Sequence, residues 1–145
     1  MTTLEQAANI ETSPSKKWNI GLWVAQVALA GLFSMGVYMH LFLSPAELAA
    51  MGAGWAESVP VALIRFIGIA ELAGVVGLIL PALTRIKPNL TVYAAKGLLL
   101  IQALAIIVHA SRGEFSVLPF NLIFVALALV IIWGRKRKAI ITAKS

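Results

Sequence analysis

"RFIGIAELAGVVGLILP", residues 65–81, decides how this chain folds. The stretch is built almost wholly of Ile, Leu, Val, Ala and Gly, yet it carries Arg65 and Glu71. Such a run belongs either to the core of a soluble globule or to a membrane span. The rest of the chain chooses between them. Of 145 residues, 60% are hydrophobic and 12% charged, with a mean hydropathy of +0.90. An ordinary soluble domain is about a quarter charged, and a globule of this size leaves roughly 30% of its surface in water. Too few polar residues are present to cover that surface, so the outside of the protein faces lipid.

Apolar runs cover about 18–43, 61–80, 90–111 and 118–134. Each is close to the roughly 20 residues that cross a bilayer as a helix. Lipid leaves only helices and closed barrels, and no two-residue alternation suggests a barrel. The expected fold class is all-α: a transmembrane four-helix bundle over 18–134, between a polar tail (1–17) and a basic tail (135–145). Lys16-Lys17, an apolar run and Ala28-Leu29-Ala30 have the outline of a cleaved signal. The run continues unbroken to Leu43, so it reads as a retained helix.

The connections carry their own signals. "SPAE", 44–47, is a capping box with Ser44 as N-cap, Pro45 at N1 and Glu47 at N3. It predicts a short helix between the first two spans, stopped by Gly52, and with Trp55 an interfacial segment. Pro60 is expected to start the second span and Pro81 to end it. Pro88 and Asn89 precede the third, Pro119 starts the fourth, and Gly134 ends it before "RKRK".

Formal net charge is +6. Four spans put both termini on one side, together with Lys16, Lys17, Arg85, Lys87, Arg135, Lys136, Arg137, Lys138 and Lys144. The other side holds Arg112, with Arg65 just inside the second span. The positive-inside rule then makes this a multi-pass protein of the cell membrane with both termini cytoplasmic. The "RKRK" run reads as a topology signal and a lipid-headgroup contact, not a nucleic-acid site. The chain has no cysteine, which removes disulfides, thiol redox chemistry and Cys-ligated zinc or iron–sulfur clusters. It has no phosphate loop, nucleophile elbow or His-Glu-x-x-His motif.

An unpaired charge at mid-bilayer costs about 2.5–3.5 kcal/mol on insertion scales. Antiparallel neighbours of spans two and three lie level where their residue numbers sum to about 167–170, given the constant rise of a helix. Glu71 is then level with Lys96, and Arg65 with Gln102. The expectation is that Glu71 and Lys96 face each other inside the bundle. The same counting sets His40 beside Arg65 and His109 beside Asn121. His40, Arg65, His109 and Asn121 form an outer layer; Glu71, Lys96 and Gln102 lie nearer the middle; Gln26 lies deeper. The picture is a polar interior column that opens to the outer face. Counting fixes depth and leaves the rotation of each helix open. Ala70 with Gly74, and Ala73 with Gly77, stand in the small-xxx-small spacing of closely packed helices.

At "LIRFIGIAELAGVVGLILPAL" (63–83) the chain resembles the DoxX-like family of small four-helix membrane proteins. The likeness extends to "GVYMHLF" (36–42), "AAKGLLLIQALAIIVHASRGEF" (94–115) and "NLIFVALALVIIWGR" (121–135). Relatives often carry Lys near the end of the first span, where this chain has His40. The resemblance implies the four-helix fold. It also implies a link to quinone-coupled sulfur oxidation, to membrane-tethered oxidative-stress complexes, or to assembly and cargo-receptor roles.

Three functions fit these residues. The first is an accessory subunit, not an enzyme on its own, that holds a quinone or other amphiphile in the polar pocket for a redox enzyme. The second is a scaffold or assembly factor whose interior polar groups are structural. The third is a small proton-coupled carrier, which would need a dimer and a cavity reaching Glu71. Expected partners are membrane lipids, a redox enzyme and further copies of the chain. His40 and His109 are too few to make a haem or metal site the expectation. A quinone or lipid is the expected ligand.

Overall fold

Residues 15–144 are described by a computed structural model, and among them every regular element is helical. The order is α1 (Lys16–Phe42), α2 (Pro45–Ala50), a 3-10 turn (Gly54–Ser58), α3 (Val61–Thr84), α4 (Leu90–Ser111), a second 3-10 turn (Phe115–Val117) and α5 (Leu118–Arg137). Helices α1, α3 and α4, and the segment that ends with α5, are each long and apolar enough to cross a membrane. Residues 1–14 of the polar tail lie outside the described residues.

The predicted capping box is present. The Ser44 hydroxyl accepts from the Glu47 N–H at 3.3 Å, and the Ser44 N–H donates to Glu47 Oε2 at 2.7 Å. That backbone donor holds the Glu47 carboxyl below its ordinary range. Two expected stops are not stops. α3 runs through Pro81 and ends at Arg85, whose φ is 60°. Pro81 sits one turn from the helix end, where its missing N–H removes a single bond, so the helix tolerates it. α5 likewise runs through Gly134 to Arg137. Gly134 is there for packing: a Cβ would overlap the Leu22 side chain of α1.

The four long helices close into a ring, with α1 and α4 each packed against α3 and α5. Each buries one narrow seam with steps of three and four residues. On α3 it includes Ile64, Gly68, Glu71, Leu78 and Ala82; on α4 Thr91, Ala95, Leu98 and Gln102; on α5 Asn121, Phe124, Ala128, Ile131 and Arg135. This seven-residue repeat is the mark of left-handed bundle packing. The opposite faces expose large apolar side chains on every long helix, as a lipid-facing surface requires. Leu29, Phe33, Leu78, Leu98, Phe124 and Ile131 fill the centre, with Phe33 edge-on to Phe124 at 5.0 Å. At the end away from the termini, α2 and the first 3-10 turn fold over the bundle as a lid, seating Leu48 and Ala56 against Ile64.

The small-residue spacing on α3 does what it predicts. A Cβ on Gly77 would stand 2.8 Å from the Cβ of Ala94, so α3 and α4 approach to backbone distance there. A polar clamp closes the α4–α5 hairpin. Glu114 Oε2 lies 2.6 Å from His109 Nδ1, and Arg112 Nε donates to Glu114 Oε1 at 2.9 Å. Arg112 also donates to the Ser58 hydroxyl at 3.2 Å, tying this hairpin to the lid. The Arg112 guanidinium, with His109 behind it, holds the Glu114 carboxyl below its ordinary value of 4.5.

Gly77→Val must push α4 outward, because Ala94 has no flexible side chain to move aside. We expect a loss of about 1–3 kcal/mol, read as a lower melting temperature in detergent. Gly97→Ala meets nothing within 4 Å and should be neutral or stabilising by up to about 1 kcal/mol. The depressed Glu114 carboxyl stabilises the folded hairpin fully above the ordinary value of 4.5. That stability is lost as pH falls through the lower, folded pKa. Protection against hydrogen exchange at residues 112–117, taken relative to the intrinsic exchange rate at each pH, should therefore fall on acidification below 4.5 while the bundle core stays protected. Glu114→Gln should abolish the pH dependence, and a persistent one would contradict the clamp.

Candidate functional site

Glu71 lies seven residues after Ile64 and seven before Leu78, which puts it on the α3 seam facing α1. Across from it stands Gly36, where a Cβ would be 3.3 Å from both carboxylate oxygens. The absence of a side chain there makes room for the carboxylate. Its partner is His40, in the last turn of α1, with Nδ1 at 2.8 Å from Glu71 Oε2. Glu71 is 5% exposed, and the His40 ring is largely covered. The indole of Trp55, from the lid, stands 5.9 Å from the imidazole. The pair therefore sits between the apolar core and an aromatic roof.

Arg65 joins the same corner by a different route. Its guanidinium donates to the carbonyls of His40 and of Leu43, the latter at 2.9 Å. These belong to the last turn of α1, where carbonyls lack intrahelical partners and the helix dipole is negative. Both bonds from α3 converge on His40: Glu71 holds the ring, and Arg65 holds the carbonyl behind it.

The expected Glu71–Lys96 pair is not formed. Lys96 is exposed on the outer face of α4, with its ammonium 5.4 Å from the ring centroid of Tyr93. Ala95 occupies the seam, so Lys96 is turned by about 100° from it. Tyr93 lies nearer the helix start. The side chain thus runs along apolar surface toward the terminal end of the bundle, as amphipathic lysines do in lipid.

The expected column is divided. His109 pairs with Glu114 instead of joining Arg65 and Asn121. Gln102 and Asn121 are buried on their seams, and Asn121 Nδ2 has no hydrogen-bond partner among the described residues. The two histidines each take their own carboxylate and belong to separate clusters.

A third cluster was not anticipated. Arg135, expected as a surface headgroup contact, is buried at the terminal end of the bundle. Its Nε donates to Gln26 Oε1 at 2.6 Å, and Gln26 Nε2 donates to the Leu78 carbonyl at 2.7 Å. The signal was available in the spacing, since residue 135 continues the 121–128 step of the α5 seam.

Chemically, the three clusters differ. Arg65 and Arg112 make fixed contacts to carbonyls and to a carboxylate. The His40–Glu71 pair can share one proton, as carboxylate with imidazolium or as acid with imidazole, at no change in net charge. It is the arrangement best suited to hold or pass a proton in an apolar surround.

Comparison with known families gives a match. The model of the DoxX-like family fits residues 24–131, from the third turn of α1 to near the end of α5. No curated protein and no solved structure matches the chain. The matched span covers well over half of the chain and includes His40, Arg65 and Glu71. With four helices that are apolar on their outer faces, the chain belongs to the DoxX-like family and is a multi-pass integral membrane protein.

Proposed function

We propose that this protein is a membrane subunit that holds the polar head of a quinone, or of a similar amphiphile, against the His40–Glu71 pair and presents it to a redox enzyme. The observation that carries the reading is the imidazole–carboxylate contact of 2.8 Å among apolar side chains of a membrane helix. A quinone carbonyl takes up a proton when electrons arrive, and a paired imidazole and carboxylate can hydrogen-bond that carbonyl and supply the proton. His40 presents Nε2 as its remaining ring nitrogen, and Trp55 offers an aromatic face beside it. In this reading the electrons come from the partner, and the chain has no cysteine to carry them. The basic residues at the terminal end favour placing both termini in the cytoplasm, which turns this pair toward the outer leaflet.

A scaffold reading has support of its own. Arg65 is used on the α1 carbonyls, and His109 on Glu114. Both arrangements fix helices in place, and neither needs a ligand.

The two readings separate on one experiment. The full chain in mild detergent is titrated with a short-chain ubiquinone while tryptophan fluorescence is followed. Retained lipophiles are identified by native mass spectrometry. We expect saturable quenching that Trp55→Phe greatly reduces, and an affinity loss of about tenfold in Glu71→Gln and His40→Ala, the scale of one hydrogen bond to an ionisable group. Absence of quenching, with no quinone retained and both variants folded, would leave the scaffold reading standing and remove the quinone.

A further inference from the structure

Arg135 carries a charge that none of its contacts among the described residues neutralises. Its three hydrogen bonds go to neutral oxygens: Gln26 Oε1 at 2.6 Å, Asn19 Oδ1 at 2.7 Å and the Ala139 carbonyl at 3.2 Å. The face of Trp23, 5.5 Å away, adds a partial attraction. The remaining terminal nitrogen, Nη2, has no partner among the described residues, although Arg135 is only 4% exposed. Guanidinium stays protonated in proteins, and a buried charge without a counter-charge is strongly unfavourable.

A second orphan lies close by. Thr91 Oγ1 also lacks a partner among the described residues, and Thr91 is 1% exposed. Arg135 and Thr91 line the same cavity of about 10 Å³, near the room one water-sized atom needs. Pro88, Asn89 and Val92, around the first turn of α4, form another wall, and Ile140 and Ile141 close it. The N–H groups of Leu90, Thr91, Val92 and Tyr93 already donate to the Lys87, Pro88 and Asn89 carbonyls, so the 22-residue helix adds only its dipole, positive at this end, beside the cavity.

A guanidinium N–H and a hydroxyl without partners among the described residues thus belong to two side chains that line one atom-sized space. Water would satisfy the hydrogen bonds and leave the charge unbalanced. We propose that this cavity binds one anionic acceptor atom between Arg135 Nη2, Thr91 Oγ1 and the start of α4. Two sources supply that chemistry: a free halide ion, or one phosphate oxygen of a lipid headgroup at the membrane boundary.

Thr91→Val is the variant of choice. It keeps the shape of the side chain and breaks no hydrogen bond within the protein. The full chain in mild detergent is heated while sodium chloride or bromide replaces sodium gluconate at constant ionic strength. In parallel, native mass spectrometry compares retention of phosphatidylglycerol with that of phosphatidylcholine. A halide source predicts saturable, concentration-dependent stabilisation, with apparent affinity about tenfold weaker in Thr91→Val. A lipid source predicts no halide effect and a phosphatidylglycerol preference that Thr91→Val removes. Thr84→Val, whose hydroxyl bonds the Leu80 carbonyl, should respond to both anions as the wild type does. If neither anion acts, or if Thr91→Val responds like the wild type, the anion site is overturned.

Discussion

Everything in this molecule depends on the double hold that α3 takes on the last turn of α1. Glu71 meets the His40 ring at 2.8 Å, while Arg65 binds the carbonyls of His40 and Leu43. Lipid offers no water to solvate an unpaired carboxylate, guanidinium or helix end. Each of these groups would be costly alone. Brought together they answer one another: the cation caps the helix, the capped helix fixes the imidazole, and the imidazole pairs with the carboxylate. The same contacts set the depth of α1 relative to α3, which apolar side chains alone do weakly, since lipid tails are as apolar as leucine.

The rest of the polar interior obeys the rule that a bundle in lipid has only narrow seams in which to hide polarity. Gln26, Glu71, Gln102, Asn121 and Arg135 all fall on seams. Lys96 falls one residue off and is turned out. A charge in that position survives because its long stem lets the ammonium travel toward the boundary. A glutamate has no such reach, and Glu71 must be given a partner inside.

This explains what the sequence made legible. The four spans, the α2 capping box and the close approach at Gly77 follow from length, local hydrogen bonding and side-chain size, which neighbouring residues determine. Depth was legible too, because helix rise is constant. Rotation was not, because both the lipid face and the core face of each helix are apolar, and hydrophobic pattern hardly distinguishes them. Hence Lys96 was paired with Glu71 by depth alone, and Arg135 was assigned to the surface as one of four consecutive basic residues. The seven-residue step through Ile64, Glu71 and Leu78, continued on α5 by Asn121, Ala128 and Arg135, carries the missing rotation. Pro81 and Gly134 misled for another reason: in a bundle this tight, such residues serve helix contacts and chain ends as readily as they break helices.

Two arginines show how differently the fold treats its ends. Arg65 spends its charge on carbonyls at the negative end of a helix, with the Glu71–His40 pair one contact away. Arg135 faces the positive end of α4 and, among the described residues, meets only neutral side-chain and backbone oxygens. One end gives Arg65 a helix dipole of opposite sign and Glu71 an imidazole. The other is left with excess positive charge beside a space of atomic size. A helix dipole offsets a guanidinium at its negative end and adds to one at its positive end, so among the described residues Arg65 is answered within the fold and Arg135 is not.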